Sequence, residues 1–131
     1  MRPSKTEYYL KIAEAVSKRS TCLRRQYGAV IVRDDQIIST GYNGSPRGAI
    51  NCCDTGKCRR EEMSIPSGER YELCEAIHAE QNAIIKAGRD RTQGAMLYLF
   101  GSENGERIDG PEPCLMCGRM IVNAGIVEVV K

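Results

Sequence analysis

The sequence has a single histidine, and its basic residues exceed its acidic ones by only two. No apolar run approaches the roughly 18 residues that would suggest a membrane span, and the stretch Met1 to Leu10 is polar rather than leader-like. These absences exclude a membrane-spanning helix and point to a soluble cytoplasmic protein. The near-balance of charge excludes the strongly cationic surface of a duplex-coating protein, so no duplex nucleic acid is expected as partner. A small anionic ligand needs only a local basic cluster, and Arg24-Arg25 supplies one. Internal repeats and low-complexity tracts are also lacking. With 41% hydrophobic and 27% charged residues, the composition is far from that of a disordered chain, and 131 residues suit one domain with one core.

Cysteine, by contrast, is abundant. Seven cysteines without a secretory signal point to metal ligation or catalysis rather than disulfides, and the odd count leaves one unpaired in any all-disulfide scheme.

Ser4 and Glu7 read as a capping box, and Tyr9, Ile12, Ala13 and Val16 recur on one helical face, which predicts a helix from about Lys5 to Arg19. The β-branched run Ala29 to Val32, the turn at Asp34-Asp35 and the pair Ile37-Ile38 predict a hairpin, with the glycine-rich stretch Gly41 to Gly48 as a loop at its exit. Residues 51–74 form an irregular insert holding Cys52, Cys53, Cys58 and Cys74, and long irregular connections are commonly functional. A helix follows from about Ile77 to Ala87 and stops at Gly88. Next come a strand from Ala95 to Phe100, a polar loop from Gly101 to Gly110, a helix from about Leu115 to Ala124 closed by Gly125, and a strand from Ile126 to Val130. Late strands alternating with helices favour parallel neighbours and a layered α/β fold.

His78-Ala79-Glu80 opens one predicted helix and Pro113-Cys114-Leu115-Met116-Cys117 opens another. Cys114 and Cys117, three residues apart, project from one face of a helical turn. Two thiolates and one imidazole leave the fourth tetrahedral position open for water, as a catalytic zinc requires. Helix N-termini favour thiolate and hydroxide, and zinc lowers the pKa of bound water to about 7. Glu80, two residues from His78, cannot share its ligand direction and is cast as the proton carrier. Either motif alone is weak, since His-x-Glu is common and Cys-x-x-Cys also serves zinc knuckles and redox pairs. Together they match the H-x-E and P-C-x-x-C signature of zinc nucleobase deaminases. The chemistry this implies is attack of an activated water on C4 of a cytosine, with Glu80 taking the water proton and passing it to N3 and then to the departing amine.

On these residues the chain resembles the deoxycytidylate (dCMP) deaminases, including the bacterial competence-operon branch, from about Thr6 to Val130. The segment Ser39-Thr40-Gly41-Tyr42-Asn43-Gly44-Ser45-Pro46-Arg47-Gly48 is similar to the loop separating dCMP deaminases from nucleoside and tRNA deaminases. The resemblance implies a cytidine deaminase-like three-layer α/β/α sandwich around a mixed five-stranded sheet. It further implies conversion of dCMP to dUMP in pyrimidine nucleotide metabolism, and assembly into homohexamers. Asn43 is placed at the deoxyribose and Ala79 at the substrate, and either Arg24 or Arg25 could meet the 5′-phosphate. Gly41, Tyr42, Gly44 and Arg47 form a candidate effector loop for dCTP or dTTP, with Mg²⁺ accompanying the triphosphate. Some relatives carry a second, structural zinc. Cys22 and Cys52 occupy matching places here, and Cys58 and Cys74 complete a four-thiolate set with Cys53 as bystander. The sequence ends directly after the fourth predicted strand, where relatives commonly continue through another helix and strand.

Two other readings compete. A tRNA adenosine deaminase shares both zinc motifs but needs a surface for an RNA loop. A non-catalytic zinc scaffold linked to DNA uptake would leave Glu80 dispensable.

Overall fold

A computed structural model of the chain describes residues 1–66 and 74–131. Helix α1 (Lys5–Ser17) begins where Ser4 Oγ accepts the Glu7 backbone N–H at 3.1 Å, and it ends two residues earlier than its apolar spacing predicts. Strands β1 (Arg25–Arg33) and β2 (Gln36–Tyr42) form the expected antiparallel hairpin around Asp34 and Asp35, both at positive φ. The described part of the insert holds two single helical turns, α2 (Cys52–Thr55) and α3 (Arg59–Glu62). Then follow α4 (Ala79–Ala87), the short α5 (Arg89–Thr92), β3 (Met96–Glu103), β4 (Glu106–Arg107), α6 (Leu115–Asn123) and β5 (Glu128–Val130).

β1 lies between β2 and β3 and is antiparallel to both, whereas β5 runs parallel to β3, as the alternation of late strands with helices predicts. The sheet is therefore mixed and five-stranded. The fifth strand is β4, in a stretch whose polarity reads as a loop: β3 continues to Glu103 and turns back through Asn104 and Gly105, so that Ser102 pairs with Arg107. β1 also starts four residues before its apolar run, because Arg25, Gln26 and Tyr27 are paired with Glu103, Ser102 and Gly101 of β3. Pairing partners fixed by tertiary structure extend these strands beyond their hydrophobic segments.

Alternate residues of β1 face opposite layers. Val30 and Val32 pack with Tyr9 and Ala13 of α1 and with Tyr98 and Phe100, while Ala29 and Ile31 pack with Ala79, Ala83, Leu97, Leu99 and Ile121. Helix α1 covers one face and α4 with α6 the other, which makes the three-layer sandwich. Full burial of side chains such as Ile31, Leu97 and Leu99 contributes about 1.5–3 kcal/mol each. Gly41 permits α4 to sit directly on β2, since a Cβ there would lie 2.4 Å from the Ala79 carbonyl oxygen and 2.5 Å from the Ala83 nitrogen. No helix among the described residues is long and apolar enough to cross a membrane.

Candidate active site

Both signature motifs arrive at helix N-termini on the same face of the sheet. His78 is the N-cap of α4, with its backbone N–H donated to Gln81 Oε1 at 2.9 Å. Cys114 is the N-cap of α6, and its Sγ accepts the Cys117 backbone N–H at 3.4 Å, so Cys117 sits one turn in. β3 and the α4 and α6 packing residues fix the two helix starts against each other. His78 Nδ1 lies 3.1 Å from Cys117 Sγ and 3.5 Å from Cys114 Sγ. Two donors on one tetrahedral zinc, with Zn–S of about 2.3 Å and Zn–N of about 2.0 Å, stand roughly 3.5 Å apart. The three side chains therefore fit a single ion, and they are the one such group of histidine, cysteine or acidic ligands among the described residues.

The electrostatics agree with that assignment. Burial, with the nearby charge of Arg60 second, lowers the His78 pKa and keeps the imidazole neutral with a lone pair to give. Burial and the charge of Glu80 both push the Cys117 thiol well up, so a thiolate here calls for a cation. Glu80 is 5% exposed, and burial raises its carboxyl against the opposing pull of its own backbone N–H and of Cys117.

A cleft of about 170 Å³ opens onto this cluster, walled by His78, Glu80, Cys114, Asn43, Arg24 and Arg25 among others. The loop after β2 is tied to the chain just before His78: Gly44 and Ile77 exchange backbone hydrogen bonds of 3.1 and 2.7 Å, and Asn82 Nδ2 donates to the Tyr42 carbonyl at 2.9 Å. Asn43 is buried, accepts the Tyr27 N–H on Oδ1 and donates from Nδ2 to the Arg25 carbonyl, each at 2.9 Å. One lone pair and one amide hydrogen remain for a ligand. Ala79 is fully buried beneath Gly41, and Arg47 lies on the exposed part of the loop. Gly41 and Tyr42 belong to β2, not to a loop as their composition suggests.

Cys22, Cys52, Cys58 and Cys74 gather beside the cleft. The Cys53 N–H donates to the Thr21 carbonyl at 3.1 Å, which brings Cys52 next to Cys22, and the charges of Cys22, Cys58 and Cys74 all act on the Cys52 thiol. No three of these sulfurs come within 4.8 Å of one another, so this set is looser than the first.

Sequence reasoning missed several wall residues. Arg60, 6% exposed, donates from Nη2 to the Pro66 carbonyl at 2.9 Å and acts electrostatically on His78; Tyr27 and Glu112 also line the cleft. A buried arginine within the run Arg59 to Glu62 has no periodic signal, and only its position inside an insert rich in cysteine marks it.

Residues 3–131 match the family model described as the cytidine and deoxycytidylate deaminase zinc-binding region. The chain is 41% identical over 130 residues to the deoxycytidylate deaminase of Schizosaccharomyces pombe, covering 98% of this chain but 37% of that protein. It is 38% identical over 133 residues to the deoxycytidylate deaminase of Mycobacterium phage D29, covering 98% of this chain and 94% of the relative. Among solved structures it resembles the dCMP deaminase of cyanophage S-TIM5 in complex with dCMP and dUMP, at 30% identity and a TM-score of 0.69, covering 98% of this chain and 81% of that one. A match that holds in sequence and in fold across nearly every residue leaves one conclusion: the chain belongs to the zinc-binding cytidine and deoxycytidylate deaminase family.

Proposed function

We propose that this chain converts dCMP and water into dUMP and ammonia. The observation that carries the reading is the convergence of His78, Cys114 and Cys117 at ligand spacing, with buried Glu80 beside them, on a cleft walled by Asn43 and arginines. Zinc, held by His78, Cys114 and Cys117, would supply an acidified water as the nucleophile. Glu80 takes one proton of the attacking water and gives it to N3, then carries the proton of the new C4 hydroxyl to the amine, which leaves as ammonia as the C4–N bond breaks and C4=O forms. Burial raises the Glu80 carboxyl, which favours its holding a proton between the two transfers. The solved dCMP complex of a relative supports a cytosine nucleotide as substrate.

A structural zinc on Cys22, Cys52, Cys58 and Cys74 belongs to the same reading; it would draw these sulfurs together and pin the insert. So do homohexameric assembly and control by dCTP or dTTP with Mg²⁺. Exposed Leu115 and Val122 on α6 and Ile85 on α4 are the kind of apolar surface that association covers. We further place the protein in the cytoplasm, with small nucleotides as its partners.

The test is a side-by-side assay of dCMP, cytidine and an anticodon stem-loop with purified protein, with and without dCTP and dTTP. dUMP and ammonia should form from dCMP far faster than product from the others, whereas activity confined to the RNA would overturn the assignment.

A further inference from the structure

The two adjacent arginines on the cleft wall are not equivalent. Arg25 is engaged: its Nε lies 3.2 Å from Glu103 Oε2, its Nη1 reaches the Tyr27 hydroxyl at 3.5 Å, and its side chain is 41% exposed. Arg24 is 23% exposed and held at one corner, where Nε lies 3.2 Å from Glu61 Oε1. Its Nη1 is buried with no hydrogen-bond partner. An unsatisfied guanidinium donor out of water is unfavourable, and on the wall of a ligand cleft it marks where an acceptor belongs. The ion pair with Glu61 draws the guanidinium to its Nε side and leaves Nη1 as the donor without an acceptor. Glu61 itself comes from α3, whose N-cap is the buried Cys58, so the insert reaches the cleft through this ion pair.

We propose that Glu61 is a positioning residue that sets the preference for a 5′-phosphorylated substrate by holding Arg24 with Nη1 turned to the phosphate. This rests on the cytosine nucleotide reading of the same cleft. A phosphate accepts from a pre-oriented fork with charge assistance, while an unphosphorylated nucleoside has nothing to place there. Arg25, already paired with Glu103, is the lesser contributor.

Steady-state kinetics with dCMP and deoxycytidine test this on Arg24→Ala, Glu61→Ala, Glu61→Gln and the Arg24→Ala/Glu61→Ala double variant. Arg24→Ala should raise KM for dCMP roughly 10- to 100-fold more than KM for deoxycytidine. Glu61→Ala should raise the dCMP KM about 10-fold, selectively and with little change in kcat, because the fork loses its orientation. Glu61→Gln, which keeps the side-chain length and an acceptor oxygen beside the guanidinium, should recover most of that loss. The double variant should be no worse than Arg24→Ala alone. Calorimetric binding of dUMP against deoxyuridine should follow the same pattern, and it reads out even on a chain that turns over no dCMP. Loss of turnover with selective dUMP binding intact would count against the deaminase reading alone. Equal effects of Glu61→Ala on both ligands, an effect on kcat rather than KM, no rescue by Gln, or additive losses in the double variant would overturn the role of Glu61.

Discussion

The molecule holds two cysteine-bearing clusters built on opposite plans. His78, Cys114 and Cys117 sit at the starts of α4 and α6, elements welded to the sheet by Ala79, Ala83, Leu97, Leu99 and Ile121, and their donor atoms stand at ligand spacing. Cys22, Cys52, Cys58 and Cys74 hang on connections and single helical turns, and their sulfurs are neighbours without converging. Where the core supplies the geometry, the site is preorganised. Where it does not, the ion proposed there would have to contribute the organisation, and its binding would be coupled to local folding.

The largest break in this comparison should come from Cys117→Ala. It removes a buried ligand, so metal analysis should drop by one zinc per chain, and dCMP turnover should fall by roughly 10³-fold or more, the several kcal/mol of barrier that such an ion supplies. Gly41→Ala should act through the scaffold alone. The added Cβ meets α4 backbone that cannot swing aside, and a loss of about 2–4 kcal/mol of stability is expected, measured by urea unfolding. Unchanged stability would mean that α4 is not seated on β2 as described. Cys52→Ser sharpens the other half: zinc should fall from two per chain to one with most dCMP turnover kept and a lower Tm, and one zinc in the unaltered protein would remove the four-cysteine site. The smallest effect lies far from both clusters, at the hairpin turn. There Asp35 accepts from Lys5 Nζ at 2.8 Å and from the Tyr9 hydroxyl at 2.7 Å. Hydrogen bonds from Lys5 and then Tyr9 lower the Asp35 pKa, so its contribution is present above the ordinary carboxylate range and is lost as pH falls through the lowered value. The same contact raises Tyr9 to about 12, so stability is full below pH 10 and declines as pH climbs from 10 towards 12. Asp35→Asn should flatten both limbs in pH-dependent thermal unfolding, and added salt should mute the acid limb.

The same contrast governs what could be read from the sequence. Cys114 and Cys117 announce themselves because three residues make one helical turn, and the Ser4 cap, Gly88 and Gly125 mark helix ends by local chemistry alone. β4 was invisible, since Glu106 and Arg107 are exposed and owe their conformation to pairing with Ser102 and Glu103. The strand character of Arg25 to Tyr27 is likewise imposed by β3. Arg60 and Glu61 could not be found because burial and ion pairing across 37 residues of chain leave no periodic trace. Asn43 was legible as a loop residue, but its clasp on the Arg25 and Tyr27 backbone depends on the fold.

In the proposed mechanism three side chains hold one zinc while Glu80, which binds no metal, moves the proton. Glu80→Gln tests it most directly, with zinc content and dCMP turnover measured on the same preparation. Zinc should be undiminished and dUMP formation reduced to background; dUMP formation at the unaltered rate with zinc in place would mean that Glu80 does not move the proton.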